Sequence, residues 1–550
     1  MSGTPTPAPP RDEFPPEQIL LSRPAAWILT SLFLMLLAVP PLLDGLPGRV
    51  RELVSAVSGM GSRQPIAERL RGYDSKVASA AFTGVPRQLT QQALTSLLGK
   101  GNDRVLIGRD GWLFYRPEIQ ALTGYGPIQP EPHSVSRDPA LLDWEAPLEP
   151  IRQFAAQLRE RGVALWLVPA PMKPAIYPEM LSGAVTGAPV RHRDAAAFFA
   201  SLTEAGIRVM DPAAVLFAAK AGDASEGPVY LKDDTHWSTR GMLVTTGFLA
   251  SQIRQLPALT ECFDPAPRPW TMTLTASAPG NGDLVEKLGL RYPERWSPPR
   301  METLAVVSPP AGIVSQVDRG SPMVVLGDSF VNIFDDPGLG FPRTDGRAPS
   351  QAGFAWQLAH QLGMPLDVHA VNGEGASGVR RWLAQRGESV VRSKKLVLWV
   401  IAERDLFLSR SAAKANGISW ERVHFAADPP GPPAPPAGAT PGDPVVVEAM
   451  AMEKADQADP RQANYENALY TVRYEVRKVL SGQAPAGPFE VVHWHFKKRV
   501  LQPASSIEPG HTYRLQLEPW GTRPELETLN LSQIGEALPV WWAEGAEPLP

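Results

Sequence analysis

Two short stretches carry groups able to move a proton. In "VYLKDDTHWSTRG", residues 229–241, Asp233, Asp234, His236 and Trp237 lie between an apolar, strand-like start and a helix-like continuation. In "VVLGDSF", residues 324–330, an apolar run breaks into Gly327, Asp328 and Ser329. A serine hydroxyl is a poor nucleophile until a neighbouring base takes its proton, and an imidazole steered by a carboxylate is the common solution. Of the nine histidines, His236 has an aspartate two positions before it in a motif-like setting. Residues two apart in an extended segment face the same side, so Asp234 can reach the ring nitrogen turned away from the serine. Asp233 then points the other way and is a bystander, while Trp237 is placed to wall the ring from water. Each motif alone has a plain alternative, since Gly-Asp-Ser occurs in ordinary turns and Asp-x-His in salt-bridged loops. Together on one domain they point to nucleophilic catalysis by Ser329, His236 and Asp234.

Such groups meet where strands of an open parallel sheet end, because helix N-termini and turn amides converge there. The surrounding pattern predicts that sheet. "IRQFAAQLRERG" sets Ile151, Phe154, Ala155 and Leu158 on one helical face, and the apolar strand "VALWLVPAP" follows. The alternation returns in helix "RDAAAFFASLTEAG" and strand "IRVMDP". It then runs through strand "SPMVVLGDSF", helix "SQAGFAWQLAHQLG", strand "PLDVHAVNG", helix "GVRRWLAQRG" and strand "KKLVLWVIAERD". Strands apolar on both faces between helices imply an α/β fold with a mainly parallel sheet. Upstream, "VLIGRDGWLFYRPE" holds Asp110-Gly111 between two apolar runs and predicts a hairpin.

The ends of the chain differ in kind. Residues 1–23 read as a disordered tail, 24–43 as an uncharged transmembrane anchor, and 44–100 as a polar helical stalk. Arg11 and Arg23 precede the anchor and Arg49, Arg51 and Arg63 follow it, so basic residues do not mark its orientation. The catalytic domain is expected over 101–427, and a Pro-rich linker over 428–444. Beyond it, residues 445–550 alternate or run apolar between turns and predict a small β-barrel or sandwich. His493 and His495 share a strand face there; with no third ligand in view, a solvated or partner-facing strand is expected and a metal is not. Trp494, Trp520, Trp541 and Trp542 read as core packing, with stacking on sugar rings as the alternative. A net charge of −4 without a long basic block excludes a nucleic-acid partner. The single cysteine, Cys262, excludes an intramolecular disulfide and a multi-thiolate metal site, and reads as a small semi-buried hydrophobe.

From about Val105 to Leu408 the chain resembles the SGNH-hydrolase-like domain of the alginate O-acetyltransferase family of AlgJ and AlgX. The resemblance is carried, in the family's order, by "GRDGWLFYRPE", "LVPAPMKPAIYPEML", "YLKDDTHWSTRG", "GDLVEKLGL", "VVLGDSF", "AGFAWQLAHQLG" and "LVLWVIAERDL". Ordinary SGNH enzymes place the serine early; this family, like this chain, carries Asp-x-His ahead of it. The resemblance implies Ser329 as nucleophile, His236 as general base and acid, and Asp234 as the residue orienting it. For the oxyanion, the Ser329 amide is the first candidate; Gly353 and Asn372 correspond loosely to the family's other donors, or are a helix start and an ordinary turn. Arg404 matches a family position or is half of an Arg-Asp pair, and Lys173 and Tyr177 line the pocket or fasten a loop. The implied activity is transfer of an acetyl group, through an acetyl-serine, to hydroxyls of an exported polysaccharide that is alginate-like or cellulose-like. No metal or cofactor is implied. The implied setting is the periplasmic side of the inner membrane, with a membrane-bound O-acyltransferase supplying the acetyl group. The competing readings are an acetyl-polysaccharide esterase and a non-catalytic polysaccharide-binding scaffold. The C-terminal unit does not match the carbohydrate-binding domain of AlgX, which leaves the polymer open.

Overall fold

The computed structural model describes residues 81–128, 145–263, 270–310, 320–425 and 445–549, less scattered positions in the last two ranges, together with Ser31 and Asp318. The expected tail, anchor and Pro-rich linker, and most of the stalk, lie outside them. Among the described residues no helix is long and apolar enough to cross a membrane. The chain divides into two units, Met1–Ala93 and Leu94–Pro550.

The second unit opens with the predicted hairpin, β1 (Val105–Ile107) and β2 (Leu113–Tyr115), paired antiparallel. Asp110 (φ 52°) and Gly111 (φ 78°) both take the left-handed conformation that reverses a chain tightly. Next come β3 (Ala164–Ala170), β4 (Arg208–Val209), β5 (Thr271–Ala276), β6 (Thr303–Ser308), β7 (Met323–Gly327), β8 (Asp367–Ala370) and β9 (Leu396–Ala402). Five of them form a parallel sheet in the order β4-β3-β9-β7-β8. Its strands read as continuous apolar runs because each face meets a different core. Leu165, Leu167, Val324, Leu326, Val397, Trp399 and Ile401 join Phe154, Leu158, Phe198 and Leu202 on one side. Trp166, Val168, Met323, Val325, Leu398 and Val400 join Met242, Leu249, Trp356 and Leu358 on the other. Full burial of each large side chain contributes about 1.5–3 kcal/mol before the entropy of ordering is subtracted. The covering helices include Leu148–Glu160, Ala195–Glu204, Thr239–Ile253 and Phe354–Leu362. The antiparallel pair β5–β6 was not legible in the sequence: β5 is exposed along its length and shows no buried stripe.

The C-terminal region contributes β10 (Val445–Lys454), β11 (Ala468–Ser481), β12 (Phe489–Lys497), β13 (Val500–Leu501), β14 (Thr512–Pro519), β15 (Asn530–Ser532), β16 (Val540–Trp542) and β17 (Glu547–Pro548). The pairing runs β12-β16-β14-β10-β11, and β11 returns to β12, so five strands close a barrel. Closure corrects the expectation for the two histidines. Both His493 and His495 are buried, not solvated or partner-facing. His493 bonds Tyr474 Oη through Nε2 and the Ala543 carbonyl through Nδ1, at 3.1 Å each. His495 stands edge-on to Tyr470 at 5.8 Å. Of the tryptophans, Trp542 is buried, with Trp494 and Trp520 packed around it at 6.3 and 6.0 Å, and Trp541 packs on the barrel core. Cys262 is exposed, contrary to expectation, because it ends a surface turn after Pro257.

Candidate active site

Ser329 is placed by the way β7 ends. The strand runs out at Gly327, Asp328 caps, and Ser329 opens the short helix Ser329–Asn332. Asp328 accepts from the Phe330 N–H at 2.9 Å and the Ala402 N–H at 2.8 Å, tying the turn to the end of neighbouring β9. A Cβ on Gly327 would lie 2.2 Å from Val331 Cγ2, so only glycine lets the helix fold back this closely.

His236 sits in a tight loop closed by the Tyr230–Trp237 bridge. Ser238 accepts from the Gly241 N–H at 3.2 Å and starts helix Thr239–Ile253. Trp237 is fully buried, edge-on to Phe330 and stacked on Phe354, and Phe330 stands edge-on to the His236 ring at 4.8 Å. The indole thus reaches the imidazole through Phe330.

These elements bring the three predicted residues together. Asp234 Oδ1 lies 2.6 Å from His236 Nδ1, and His236 Nε2 lies 2.7 Å from Ser329 Oγ. An ionised carboxylate only accepts, so Nδ1 carries the proton and Nε2 is the acceptor facing the serine hydroxyl. Asp234 is fully buried and saturated: Oδ1 also takes the His236 N–H at 2.9 Å, and Oδ2 takes the Asp283 N–H at 2.8 Å. Asp233 pairs instead with Arg300 at 2.5 Å and stands outside the relay; residues 232–236 form a turn and bends, not the extended segment expected, and the turn sends the two carboxylates apart.

Asp283 is the residue that sequence reasoning missed. It follows the buried-side Gly282, whose absent Cβ would meet the Asp233 carbonyl at 2.3 Å. Its carboxylate accepts from the Thr235 N–H and hydroxyl at 2.8 Å each, and Lys287 approaches at 2.9 Å. Burial raises its pKa, but the Lys287 ammonium and the hydrogen bonds from Lys287 and Thr235 outweigh this and hold it well below the usual carboxylate range. Asp234, His236 and Asp283 each bring a ligand atom within 4.8 Å of the others. Those atoms are engaged by N–H, O–H and ammonium donors, so the cluster is a hydrogen-bond network and its donor set does not fit a cation. The signal was a Gly-Asp helix start in "NGDLVEKL"; nothing local pointed it at a loop 49 residues away.

The remaining expected residues divide. Lys173 is buried and donates to the carbonyls of Leu231, Lys232 and Asp234 at 3.1, 3.2 and 2.6 Å. Tyr177 donates to Asp223 at 2.8 Å and accepts the Val229 N–H at 2.9 Å. Both fasten the segment leading to His236. Arg404 lies 3.6 Å from both Glu118 and Asp405, with its guanidinium 5.9 Å from the Phe330 ring. Glu118, also missed, is buried with both oxygens lacking a hydrogen-bond partner; burial pushes it up to about 7 against the pull of Arg404. Gly353 and Asn372, loosely expected as oxyanion donors, each also serve the local fold. Gly353 starts helix Phe354–Leu362 with its Cα against Asp335, Val331 and Ile333, where a side chain would not fit. Asn372 accepts from Asn332 at 2.9 Å and donates to Asp336 at 2.8 Å.

Residues 105–403 match the family described as the SGNH hydrolase-like domain of acetyltransferase AlgX. AlgJ of Azotobacter vinelandii, named a probable alginate O-acetylase, is 26% identical over 323 residues, covering 56% of this chain and 72% of its own length. AlgJ of Pseudomonas aeruginosa, of the same name, is 26% identical over 311 residues with the same two coverages. The O-acetyltransferase domain of Pseudomonas putida AlgJ superposes with a TM-score of 0.38 at 22% identity, over 55% of this chain and 91% of that one. With the family signature spanning the hairpin, the Asp-x-His loop and the serine turn, this chain belongs to the SGNH hydrolase-like acetyltransferase family of AlgJ and AlgX.

Proposed function

We propose that this protein is a serine O-acetyltransferase that acetylates hydroxyls of an exported polysaccharide, alginate-like or cellulose-like. The observation that carries the reading is the hydrogen-bond relay from Asp234 through His236 to Ser329, at 2.6 and 2.7 Å. In the first half-reaction Ser329 Oγ attacks the acetyl carbonyl while His236 Nε2 takes its proton, and Asp234 stabilises the imidazolium. The Ser329 N–H, at the start of its helix, faces the developing oxyanion. His236 then gives the proton to the leaving group, and acetyl-serine remains. In the second half-reaction a sugar hydroxyl loses its proton to His236 and attacks the ester; the bond from Ser329 Oγ to the acetyl carbon breaks, and His236 returns the proton to Ser329 Oγ.

The relatives named alginate O-acetylases support the choice of acceptor class. In this reading residues 24–43 hold the body at the periplasmic face of the inner membrane, with residues 1–23 in the cytoplasm. Acetyl-coenzyme A is not at hand there, so a membrane-bound O-acyltransferase passes the acetyl group across. A strain carrying Ser329→Ala at normal protein level is expected to make unacetylated polymer; persisting acetylation would sink the mechanism. Incubating the protein with an acetyl ester and an oligosaccharide separates transferase from esterase, because a hydrolase releases acetate and labels no sugar.

A further inference from the structure

Lys173 opens the short helix after β3 and is fully buried. An ammonium has three protons and no acceptor. Here three carbonyl oxygens receive them, from Leu231, Lys232 and Asp234. The shortest bond, 2.6 Å, goes to the backbone of the residue whose carboxylate holds His236 Nδ1, also at 2.6 Å. One residue is therefore gripped twice, by Lys173 on its peptide and by His236 on its side chain. The faces of Trp112 and Phe114, at 5.8 and 5.4 Å, wall the ammonium, and Glu118, Asp233, Asp234 and Asp283 are the carboxylates that face it. Holding a charge in such a place is costly, and the three carbonyl bonds offset part of that cost. Buried charges in a cleft beside reacting groups are a mark of function.

We infer that Lys173 is a positioning residue for acyl transfer: its ammonium fixes the Asp234 peptide and so aims the His236 imidazole at Ser329. This rests on Ser329 being the acyl-enzyme nucleophile. The Lys173 ammonium bonds backbone carbonyls and not Ser329, so it acts through the geometry of the relay. Burial pushes its pKa down from 10.5 to about 8, with Glu118 and Asp234 pulling the other way. The neutral amine keeps two protons for three carbonyls, so one of these contacts is lost and the grip on the Asp234 peptide loosens.

The test is the rate at which a fluorophosphonate probe labels Ser329 in the full-length protein, followed against pH and probe concentration. Lys173→Met is expected to slow the saturating rate by about 10²-fold, the scale of a displacement of roughly 1 Å, without changing the half-saturating probe concentration. Wild-type labelling should fall as pH rises through about 8, and that limb should be missing from the variant. A variant that labels within about threefold of wild type, or a wild-type rate that stays level up to about pH 10, overturns the inference. Should Lys173→Met yield no folded protein, Lys173→Gln, which keeps two amide protons in place of three, takes its place under the same outcomes. Failure of the wild type to label at any pH would instead overturn the role of Ser329.

Discussion

Replacing Asp234 with asparagine alters one atom in a fully buried carboxylate whose two oxygens face three N–H donors. Asparagine can present its oxygen to one side only. With that oxygen toward His236, its NH2 confronts the Asp283 N–H, leaving a buried donor unpaired at a cost of about 1–3 kcal/mol. With the NH2 toward His236, Nδ1 has to accept, the ring proton moves to Nε2, and Nε2 donates to Ser329 where it should accept. Both orientations also lose the charge opposite the imidazolium, worth about 1.5–3 kcal/mol as a charge-assisted bond. The unpaired donor lowers stability; the lost charge alone, at 1.36 kcal/mol per decade, slows acylation by about 10–10²-fold, the wrong tautomer deepens the loss, and the equivalent change in a serine-protease triad costs about 10⁴. Single-turnover release of the alcohol from an aryl acetate measures the acylation step directly. An Asp234→Asn protein that acylates within about tenfold of wild type, with an unchanged unfolding transition, would refute the relay as the source of nucleophilicity.

Two further outcomes follow from particular contacts. Gly327→Ala drives a Cβ to 2.2 Å from Val331 Cγ2 inside a fully packed turn. It should cost about 1–3 kcal/mol in denaturant unfolding, and a second change, Val331→Ala, should recover part of that; equal stability of wild type and single variant would contradict the packing. In the barrel, burial pushes His493 down from 6.5 to about 4, so the unfolded chain binds the proton more tightly than the folded one. Its contribution is therefore fully present above pH 6.5 and is lost as pH falls toward 4, by about 3 kcal/mol. Hydrogen-exchange protection of β11 and β12, corrected for intrinsic rates, should show that loss in the wild type and less of it in His493→Gln; identical slopes would remove the assignment.

The parallel sheet was legible because its signal is local: seven-residue apolar runs such as "ALWLVPA" and "LVLWVIA" suit only strands buried on both faces. The hairpin was legible for the same reason, since Asp110-Gly111 is a pair that accepts positive φ. The pairing of Asp234 with His236 was legible from their nearness in sequence, although a tight turn in which Asp234 also accepts the His236 N–H, not an extended segment, brings them together. The identity of Asp283 as the group steadying Asp234 and Thr235 was not legible, nor the three carbonyls that receive Lys173. Those pairings join residues 48 to 61 positions apart, and no periodicity spans such a distance.

The histidines of β12 make the same division from the other side. Residue alternation showed that His493 and His495 share a face; that the face turns inward depends on β11 closing against β12, a contact between strands that no single strand encodes. From the sequence alone come the reacting atoms and the elements that carry them, because side-chain chemistry and backbone period belong to neighbours along the chain. The tertiary structure decides which buried groups complete those atoms' hydrogen bonds, because desolvation makes every donor and acceptor find a partner, and packing alone determines which one lies within reach.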